Sequence, residues 1–337
     1  MPGLQSSIRS RLPPRALHRL APLTVPWHAA TSWLRVAPSF LIIGAGKSGT
    51  TSLFEYVLAH PATSRPTHKE INYFTHQWER LSAHWYRGQF PTAFRRMYIS
   101  CRHGARLVTG EASTSYLFRP DVPLRVRRTI PDVRLIATLR NPVDRAISDY
   151  HYSVAMGAER ATLQEALEKE AERLARSPEL LENPSYERLP LGTRRYLAAG
   201  VYDKQFERWL DYFPREQLLV IESEHLFADP HSTMRKVYGH LRLSPFELPR
   251  LAVHGQGAYP EADVKVTAYL HDFFAEPNRR LVELLRQDFS WAQVRPDHAR
   301  RSMSAARGGA SEPGDDESAH SEPSPLDSGG SAEVPRA

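Results

Sequence analysis

Two short runs of apolar residues in this chain each lead into a helical pattern, and together they predict an α/β fold. The first run, Phe40–Ile43, is continuously apolar and is followed by a glycine-rich turn. The second, Val133–Leu139, is apolar apart from Arg134 and Thr138. Continuous apolar runs of this length are typical of strands that are buried on both faces of a parallel sheet. We therefore expect a central parallel sheet flanked by helices.

The turn after the first run has the composition of a phosphate-binding loop. Residues 44–51 read GAGKSGTT, and glycines let a backbone turn tightly and bring its N–H groups close to an anion. The positive end of the following helix dipole would add to this attraction. Lys47 supplies a mobile charge, and Thr50 and Thr51 supply hydroxyl donors. The alternative is a tight strand-to-helix turn with a solvated lysine.

The spacing of this turn does not match the loop that binds ATP or GTP. That motif requires a glycine five positions before the glycine that precedes the lysine, and here the position five before Gly46 is Leu41. A shorter loop surrounds one phosphate and leaves less backbone for a β,γ-phosphate pair. The pattern therefore favours a nucleotide whose terminal group is not a third phosphate.

A second candidate anion site follows the second apolar run. Asn141 is a candidate helix cap, and Pro142 stands in the first turn of the predicted helix. Arg140 at the strand end and Ser148 two turns into the helix are placed to converge on one anion. The alternative is a capped surface helix with an ordinary pair between Asp144 and Arg145. Two anion sites at the carboxyl ends of neighbouring strands suit a ligand with phosphates at both ends.

Four segments in this order resemble a known family. The segments FLIIGAGKSGTTSLFEYVLAHP and LIATLRNPVDRAISDYHY look like the 5′-phosphosulfate loop and the 3′-phosphate motif of sulfotransferases that use 3′-phosphoadenosine 5′-phosphosulfate (PAPS). KEINYF and GEASTSYLF resemble segments of the heparan sulfate N- and 3-O-sulfotransferase branch, and FERWLDYFPREQLLVIESEHLFADP is similar to a later strand and loop. The likeness covers roughly residues 38–292. It implies a three-layer, P-loop-like α/β fold with a central parallel sheet.

The resemblance also implies roles for individual residues. Lys47 matches the lysine that contacts the leaving phosphate and the transferring sulfuryl group, and Glu70 matches the proposed general base. Arg140 and Ser148 match the clamp on the 3′-phosphate. The remaining donor-binding positions are Gly46, Ser48, Gly49, Thr50, Thr51 and Tyr259. From the residues alone, Glu70 also fits an exposed ion pair with Lys69 or Arg65.

On the acceptor side, Lys69 and Glu111 are the predicted binding residues. The sequence departs from the heparan sulfate branch at two positions. Ala112 stands where a lysine commonly follows the glutamate, and the loop at residues 255–260, GQGAYP, keeps the Tyr-Pro pair without its two charged residues. The donor site is therefore better defined than the acceptor.

These features predict an enzyme that transfers a sulfuryl group from PAPS to a hydroxyl or amine of a saccharide-type acceptor. A nucleotide-dependent kinase is the first alternative, and a non-catalytic nucleotide- or polysaccharide-binding module is the second. We predict no metal ion, because the fifteen histidines are scattered and show no His-Glu-x-x-His spacing. We also predict no nucleic acid partner, because aromatic and basic residues are too sparsely interleaved.

Composition predicts one folded domain between two tails. Residues 1–37 contain five arginines and no acidic residue, which predicts a basic, disordered leader that could contact a membrane peripherally; residues 302–337 carry a net charge of −5 and predict a disordered acidic tail. Residues 38–301 form the predicted sulfotransferase domain, with 156–200 as a lid or acceptor-side insertion.

The sequence shows no transmembrane segment. Its single cysteine, Cys101, allows a reducing compartment, so we predict a cytoplasmic location.

Overall fold

The computed structural model describes residues 27–181, 194–249 and 262–292. Within these residues, four parallel strands form one sheet in the order β2-β1-β3-β4. The strands are β1 Phe40–Gly44, β2 Gly110–Ala112, β3 Arg134–Leu139 and β4 Leu218–Glu222. Strands β1 and β3 coincide with the two apolar runs, so the prediction of a parallel sheet is confirmed.

Helices connect and cover these strands. The α-helices of the described residues are α1 Thr50–Leu58, α2 Ala83–Arg87, α3 Ala93–His103, α4 Val122–Thr129, α5 Pro142–Ala155, α6 Leu163–Arg176, α7 Tyr202–Leu210, α8 Ser223–Ala228, α9 Pro230–His240 and α10 Val264–Leu285. Short 3-10 turns span Ser32–Leu34, Pro178–Leu181, Ala198–Gly200 and Arg215–Gln217, and Tyr73–Gln77 forms a π-helical turn.

The sheet is buried on both faces, because alternate side chains of each central strand enter different cores. In β1, Leu41 and Ile43 pack in one core with residues of α4, α7 and α10. Phe40 and Ile42 pack in the other core with residues of α1, α3 and α9. Side chains two residues apart share a face of a strand, and both faces here are apolar. This explains the uninterrupted hydrophobic run and produces a three-layer arrangement.

The order of the strands places a crevice between β1 and β3. The chain passes from β1 to β2 on one side and from β3 to β4 on the other. Open α/β sheets bind ligands outside the carboxyl ends of the strands at such a reversal of direction. The segments that leave β1 and β3 at this edge contain the two predicted anion sites, residues 44–51 and Arg140 with Ser148.

Helix α6 lies within residues 156–200, the predicted lid or acceptor-side insertion. Thr162 and Glu165 form a capping box, in which each side chain accepts a hydrogen bond from the other residue's backbone N–H. The buried Glu170 carboxylate accepts hydrogen bonds from the N–H groups of Leu197 and Ala198, both at 3.0 Å. Residues 182–193 of the proposed insertion lie outside the described residues, and the lid role stays a prediction.

The last part of the predicted leader belongs to the folded region. Ser32 is buried, and Arg35 donates from Nη1 to the Phe90 carbonyl at 3.0 Å. The backbone N–H of Val36 donates to the Pro91 carbonyl at 3.0 Å. These contacts attach residues 27–37 to the segment before α3, so the disordered leader that we predicted up to residue 37 does not extend over this part.

Candidate active site

A cleft of about 1090 Å³ opens at the carboxyl ends of β1 and β3. It is lined by residues from both predicted anion sites and from the segment that contains Glu70. The predicted site residues on its wall are Gly46, Lys47, Gly49, Thr50, Thr51, Lys69, Glu70, Arg140 and Ser148. The structure therefore brings most of the predicted donor site together with the predicted base.

The loop after β1, residues 44–51, has the conformation that its glycines allow. Gly49 has φ +80° at the N-terminus of α1, and a Cβ there would lie 2.8 Å from the Phe227 ring. By contrast, the nearest atom to a Cβ at Gly46 would be the Thr114 hydroxyl at 4.0 Å, so space lies open beside that backbone. Together with the unpaired N–H groups of the first helical turn, this open space fits a bound phosphate.

Lys47 is held at the edge of the cleft by an aromatic ring. Its backbone has φ 68°, which is uncommon for a residue other than glycine. Its Nζ lies 4.1 Å from the centroid of the Tyr152 ring, which is half exposed. A cation over an exposed aromatic ring gains only about 0.5–1 kcal/mol, so Lys47 can exchange this contact for an anion. Sequence reasoning did not identify Tyr152.

The second anion site begins where β3 ends. Asn141 caps α5 as predicted, because its side-chain oxygen accepts from the Val143 N–H at 3.0 Å. Ser148, two turns along the same helix, is nearly buried and lines the cleft together with Arg140. The predicted cap is thus present, and Arg140 and Ser148 line the same cleft.

Two residues distant in sequence hold this strand end in place. The Tyr202 hydroxyl donates to the Arg140 carbonyl at 3.1 Å, and the Asn141 N–H donates to the Glu224 carboxylate at 3.1 Å. Burial raises the pKa of Tyr202 to about 12 and also raises the pKa of Glu224. The Arg140 charge opposes the second shift. Both residues fix the backbone around Arg140, and neither was identified from the sequence.

Arg145 is a further cation of the cleft. It is almost fully buried, and its guanidinium donates to the Asp149 carboxylate at 3.3 Å and to the backbone carbonyl of Tyr196. In the alternative interpretation of this segment as a surface helix, Arg145 was paired with Asp144; the observed partner is Asp149. The carbonyl contact ties α5 to the segment that precedes α7.

Lys69 and Glu70 line the cleft, and Lys69 lies near the start of α1. Lys69 Nζ donates to the Thr51 hydroxyl at 2.6 Å and lies 3.4 Å from the Glu70 carboxylate. The Lys69 and Glu70 side chains are 22% and 45% exposed, so their ion pair contributes little to stability. The Glu70 carboxylate is therefore accessible to an incoming acceptor.

Glu111 does not have the predicted acceptor contact. It is fully buried, and its carboxylate accepts from the Ile71 N–H at 3.0 Å, the Ser113 hydroxyl at 2.6 Å and the Tyr116 hydroxyl at 3.0 Å. A group with no exposed surface cannot touch an acceptor that enters from solvent. Instead, the Ile71 contact fixes the backbone directly after Glu70.

Burial raises the pKa of Glu111 to about 6, from an ordinary value of 4.5, although its hydrogen bonds oppose the shift. Between these values the folded protein binds more protons than the unfolded chain, so Glu111 lowers stability as the pH rises from about 4.5 to about 6. Replacing Glu111 with glutamine should remove this dependence, which corresponds to about 2 kcal/mol.

The measurement is the melting temperature of wild type and Glu111→Gln from pH 4 to pH 8 in about unit steps, with Glu70→Gln as the control. The difference between wild type and Glu111→Gln should move in favour of the variant as the pH rises and then level off. A difference that does not vary with pH would show that Glu111 is not a buried titrating group.

The aromatic residues after Glu70 form a core. Tyr73 and Tyr86 are buried and stack with their ring centroids 4.7 Å apart, and Phe74 contacts both rings. They do not appear among the described residues that line the cleft. Tyr73, Phe74 and Tyr86 are therefore core residues and are not placed to stack against a ligand in the cleft.

The cleft carries more positive than negative charge. Its basic side chains are Lys47, Lys69, Arg140, Arg145, Arg194 and Arg195, and its acidic ones are Glu70, Asp144, Asp149 and Glu224. Arg194 and Arg195 follow the undescribed part of the proposed insertion and were missed. Tyr259, predicted to bind the donor, lies outside the described residues. An excess of positive charge in a cleft concentrates anionic ligands.

Over residues 27–181, 194–249 and 262–292, no group of three His, Cys, Asp or Glu side chains is arranged to hold a metal ion. Among the helices of the same ranges, none has both the length and the apolar character that crossing a bilayer requires.

Comparison with known families decides the assignment. The profile of the sulfotransferase domain matches residues 37–248, which include β1 to β4 and most of the cleft. The chain belongs to the sulfotransferase family. It is therefore a sulfotransferase enzyme. This excludes the two alternative predictions, a nucleotide-dependent kinase and a non-catalytic binding module.

The relatives of this sulfotransferase agree with the predicted branch. Human heparan sulfate glucosamine 3-O-sulfotransferase 6 is 27% identical over 286 residues, covering 75% of this chain and 73% of the relative. The membrane-associated sulfotransferase kil1 of Dictyostelium discoideum is 24% identical over 320 residues, covering 75% of this chain and 66% of the relative. The resemblance to the heparan sulfate branch is confirmed.

A solved structure supports the fold. A sulfotransferase from Alicyclobacillus acidocaldarius is 32% identical, with a TM-score of 0.57, and the match covers 77% of this chain and 100% of that one. The predicted P-loop-like α/β fold of this sulfotransferase is thus confirmed.

Proposed function

We propose that this sulfotransferase moves a sulfuryl group from PAPS to a hydroxyl or amine of a saccharide. The observation that carries the proposal is that two anion sites and an accessible carboxylate share one cleft. Lys47, in the loop after β1, would bind the phosphate at one end of the nucleotide. Arg140 and Ser148 would bind the phosphate at the other end. Glu70 lies on the same wall.

In the proposed reaction, the bond between sulfur and the bridging phosphate oxygen breaks, and a bond forms between sulfur and the acceptor oxygen or nitrogen. Glu70 accepts the proton that the acceptor loses, and 3′-phosphoadenosine 5′-phosphate departs. Lys47 stabilises the negative charge that develops on the leaving phosphate oxygen. A loose transition state of this type depends mainly on positioning and on fixed charge. We propose no metal ion in this step, and addition of EDTA should leave turnover unchanged.

The saccharide acceptor is supported by the relatives. Besides the 3-O-sulfotransferase, human bifunctional heparan sulfate N-deacetylase/N-sulfotransferase 2 is 27% identical over 284 residues, covering 74% of this chain and 29% of the relative. One acts on a hydroxyl and the other on an amine by name, so both acceptor classes are kept. Transfer of labelled sulfate from PAPS to a panel of glycans and small alcohols tests this part, and transfer to alcohols alone would overturn it.

The donor site is tested by nucleotide binding. Arg140→Ala should weaken binding of 3′-phosphoadenosine 5′-phosphate by about 1.5–3 kcal/mol, roughly tenfold to a hundredfold, because a charge-assisted contact to the 3′-phosphate is lost. AMP lacks this phosphate, so its weaker binding should hardly change. Calorimetry and the shift in melting temperature measure both ligands.

Arg128→Ala is the matched control, because Arg128 is exposed on α4 and does not line the cleft. The second anion site would be wrong if AMP stabilised the wild type as much as the 3′-phosphorylated nucleotide does. It would also be wrong if Arg140→Ala reduced binding of both nucleotides equally.

We also propose that the enzyme works in a reducing compartment such as the cytoplasm. The support is its single cysteine, Cys101, which is exposed and unpaired with another thiol. Cell fractionation with an antibody against the full chain tests the location, and recovery from an oxidising compartment would contradict it.

A further inference from the structure

Helix α3 presents an apolar surface to solvent. Phe94, Met97, Tyr98 and Cys101 follow the spacing i, i+3, i+4 and i+7, so they form one stripe along the helix. Phe94, Met97 and Tyr98 are 67%, 60% and 54% exposed. Ile99 is the one residue of α3 that is buried. The apolar stripe of this amphipathic helix therefore faces away from the core, the reverse of the usual arrangement.

A second segment with exposed aromatic side chains is attached to the start of α3. Trp33 is 75% exposed and lies two residues before Arg35, which forms an antiparallel bridge with Thr92 at the start of α3. Of the eleven large exposed apolar side chains among the described residues, five belong to α3 or to residues 27–33. A concentration of large exposed apolar side chains is a feature of interaction sites, whereas single exposed ones are ordinary.

The chain segment that contains the stripe has no acidic residue. Residues 80–110 contain six arginines and no acidic residue. Arg95 and Arg102 lie a quarter-turn from the stripe, and the Arg95 guanidinium stands 5.2 Å from the Tyr98 ring centroid. Residues 27–54, which include Trp33, also lack acidic side chains. These two segments thus combine exposed aromatic side chains with arginines and contain no carboxylate of their own.

We propose that α3 and Trp33 form a docking surface for an anionic lipid membrane. Aromatic and apolar side chains enter the boundary between headgroups and acyl chains, while arginines beside them bind anionic headgroups. Ile99 packs in the protein core, so α3 stays attached to the domain while its exposed side chains contact the membrane.

Charge and chemistry favour this occupant over two others. A symmetric contact between two copies would bring the same arginines together without a carboxylate to pair with them. A sulfated polysaccharide would use the arginines but would leave Phe94, Met97 and Trp33 in water. An anionic lipid surface would bind both the apolar side chains and the arginines of this docking surface.

The position of the surface leaves the active site accessible. The bridge at Arg35 precedes β1, and the end of α3 leads to the first residue of β2. Both connections are at the amino-terminal edge of the sheet, whereas the cleft lies at the carboxyl-terminal edge. A membrane bound at α3 would thus lie on the side of the domain away from the donor and acceptor.

The test is co-sedimentation of the full chain with vesicles of phosphatidylcholine alone or with about 30 mol % phosphatidylserine. Wild type should bind the anionic vesicles selectively. Combined replacement of Phe94, Met97 and Tyr98 by serine should weaken this binding tenfold or more, and Arg95→Gln with Arg102→Gln should weaken it by about tenfold. Replacing Val264 and Tyr269 by serine is the control, because both are exposed apolar residues on α10.

Unchanged melting temperature and nucleotide binding in all variants would show that the fold is kept. Wild-type vesicle binding by the serine variant would overturn the proposal, because the contact would then come from elsewhere in the chain. The proposal also fails if the wild type does not bind vesicles but forms a dimer that the serine variant does not form. Retention on heparin that depends on the arginines alone, without vesicle binding, would likewise contradict it.

Discussion

Replacing Lys47 with alanine is expected to lower kcat by about a hundred- to a thousandfold. The same change should weaken binding of 3′-phosphoadenosine 5′-phosphate. Both effects have one cause, because the charge that holds the donor phosphate also stabilises the leaving group. Single-turnover transfer of labelled sulfate measures the chemical step, and calorimetry with the product nucleotide measures affinity.

Lys236→Ala serves as the control, since Lys236 is exposed on α9 and does not line the cleft. Lys47→Arg adds a second comparison. Arginine keeps the charge but replaces a flexible point charge by a planar fork, so nucleotide binding should recover more than turnover does. Normal turnover in Lys47→Ala would exclude Lys47 from the transfer step.

The anion sites were predictable because their signals are local. The apolar runs Phe40–Ile43 and Val133–Leu139 identify the strands, and the residues that follow each run are fixed near its carboxyl end by the chain itself. Parallel pairing of β1 with β3 then brings Lys47 and Arg140 to one edge of the sheet. No long-range information beyond this pairing is needed.

Residues that support the site could not be found in this way. Tyr202 bonds to the carbonyl of Arg140 across 62 positions of sequence, and Glu224 bonds to Asn141 across 83. Glu224 lies in α8, which directly follows β4, and β4 pairs with β3; Tyr202 reaches the end of β3 from the start of α7. Tyr152 and Arg145 had a weaker local signal, since they lie on the same helix as Ser148 and two turns or less from it.

The predicted acceptor contact of Glu111 was wrong because nothing in the sequence indicates that this residue is buried. It is the central residue of a three-residue strand, which is too short for a periodic pattern to reveal which side chains are buried. Its hydrogen bonds with Ser113 and Tyr116 are local, but the Ile71 N–H reaches it from 40 positions away. A buried carboxylate with three donors satisfies its hydrogen bonds inside the protein, and the sequence alone suggests only a charged residue near the site.

Glu70→Gln is expected to lower turnover by about a hundredfold or more while leaving affinity for 3′-phosphoadenosine 5′-phosphate unchanged. Glutamine has the shape of glutamate but cannot accept the acceptor's proton. The Glu70 side chain is 45% exposed and makes a long contact of 3.4 Å with Lys69, so the change should not disturb the fold. Glu55→Gln, on the neighbouring helix α1, is the matched control for a lost surface carboxylate, since Glu55 pairs with Arg65.

The contrast between Lys47 and Glu70 distinguishes the two roles that share this cleft. Loss of Lys47 should impair donor binding and chemistry together, whereas loss of Glu70 should impair chemistry alone. Near-normal turnover in Glu70→Gln would move proton acceptance to another group. Glu111 could not take this role from its buried position, so His68, which precedes Lys69 in the chain, would be tested next by His68→Gln. The assignment to the sulfotransferase family would stand in that case, because it rests on the match over residues 37–248 and on the fold.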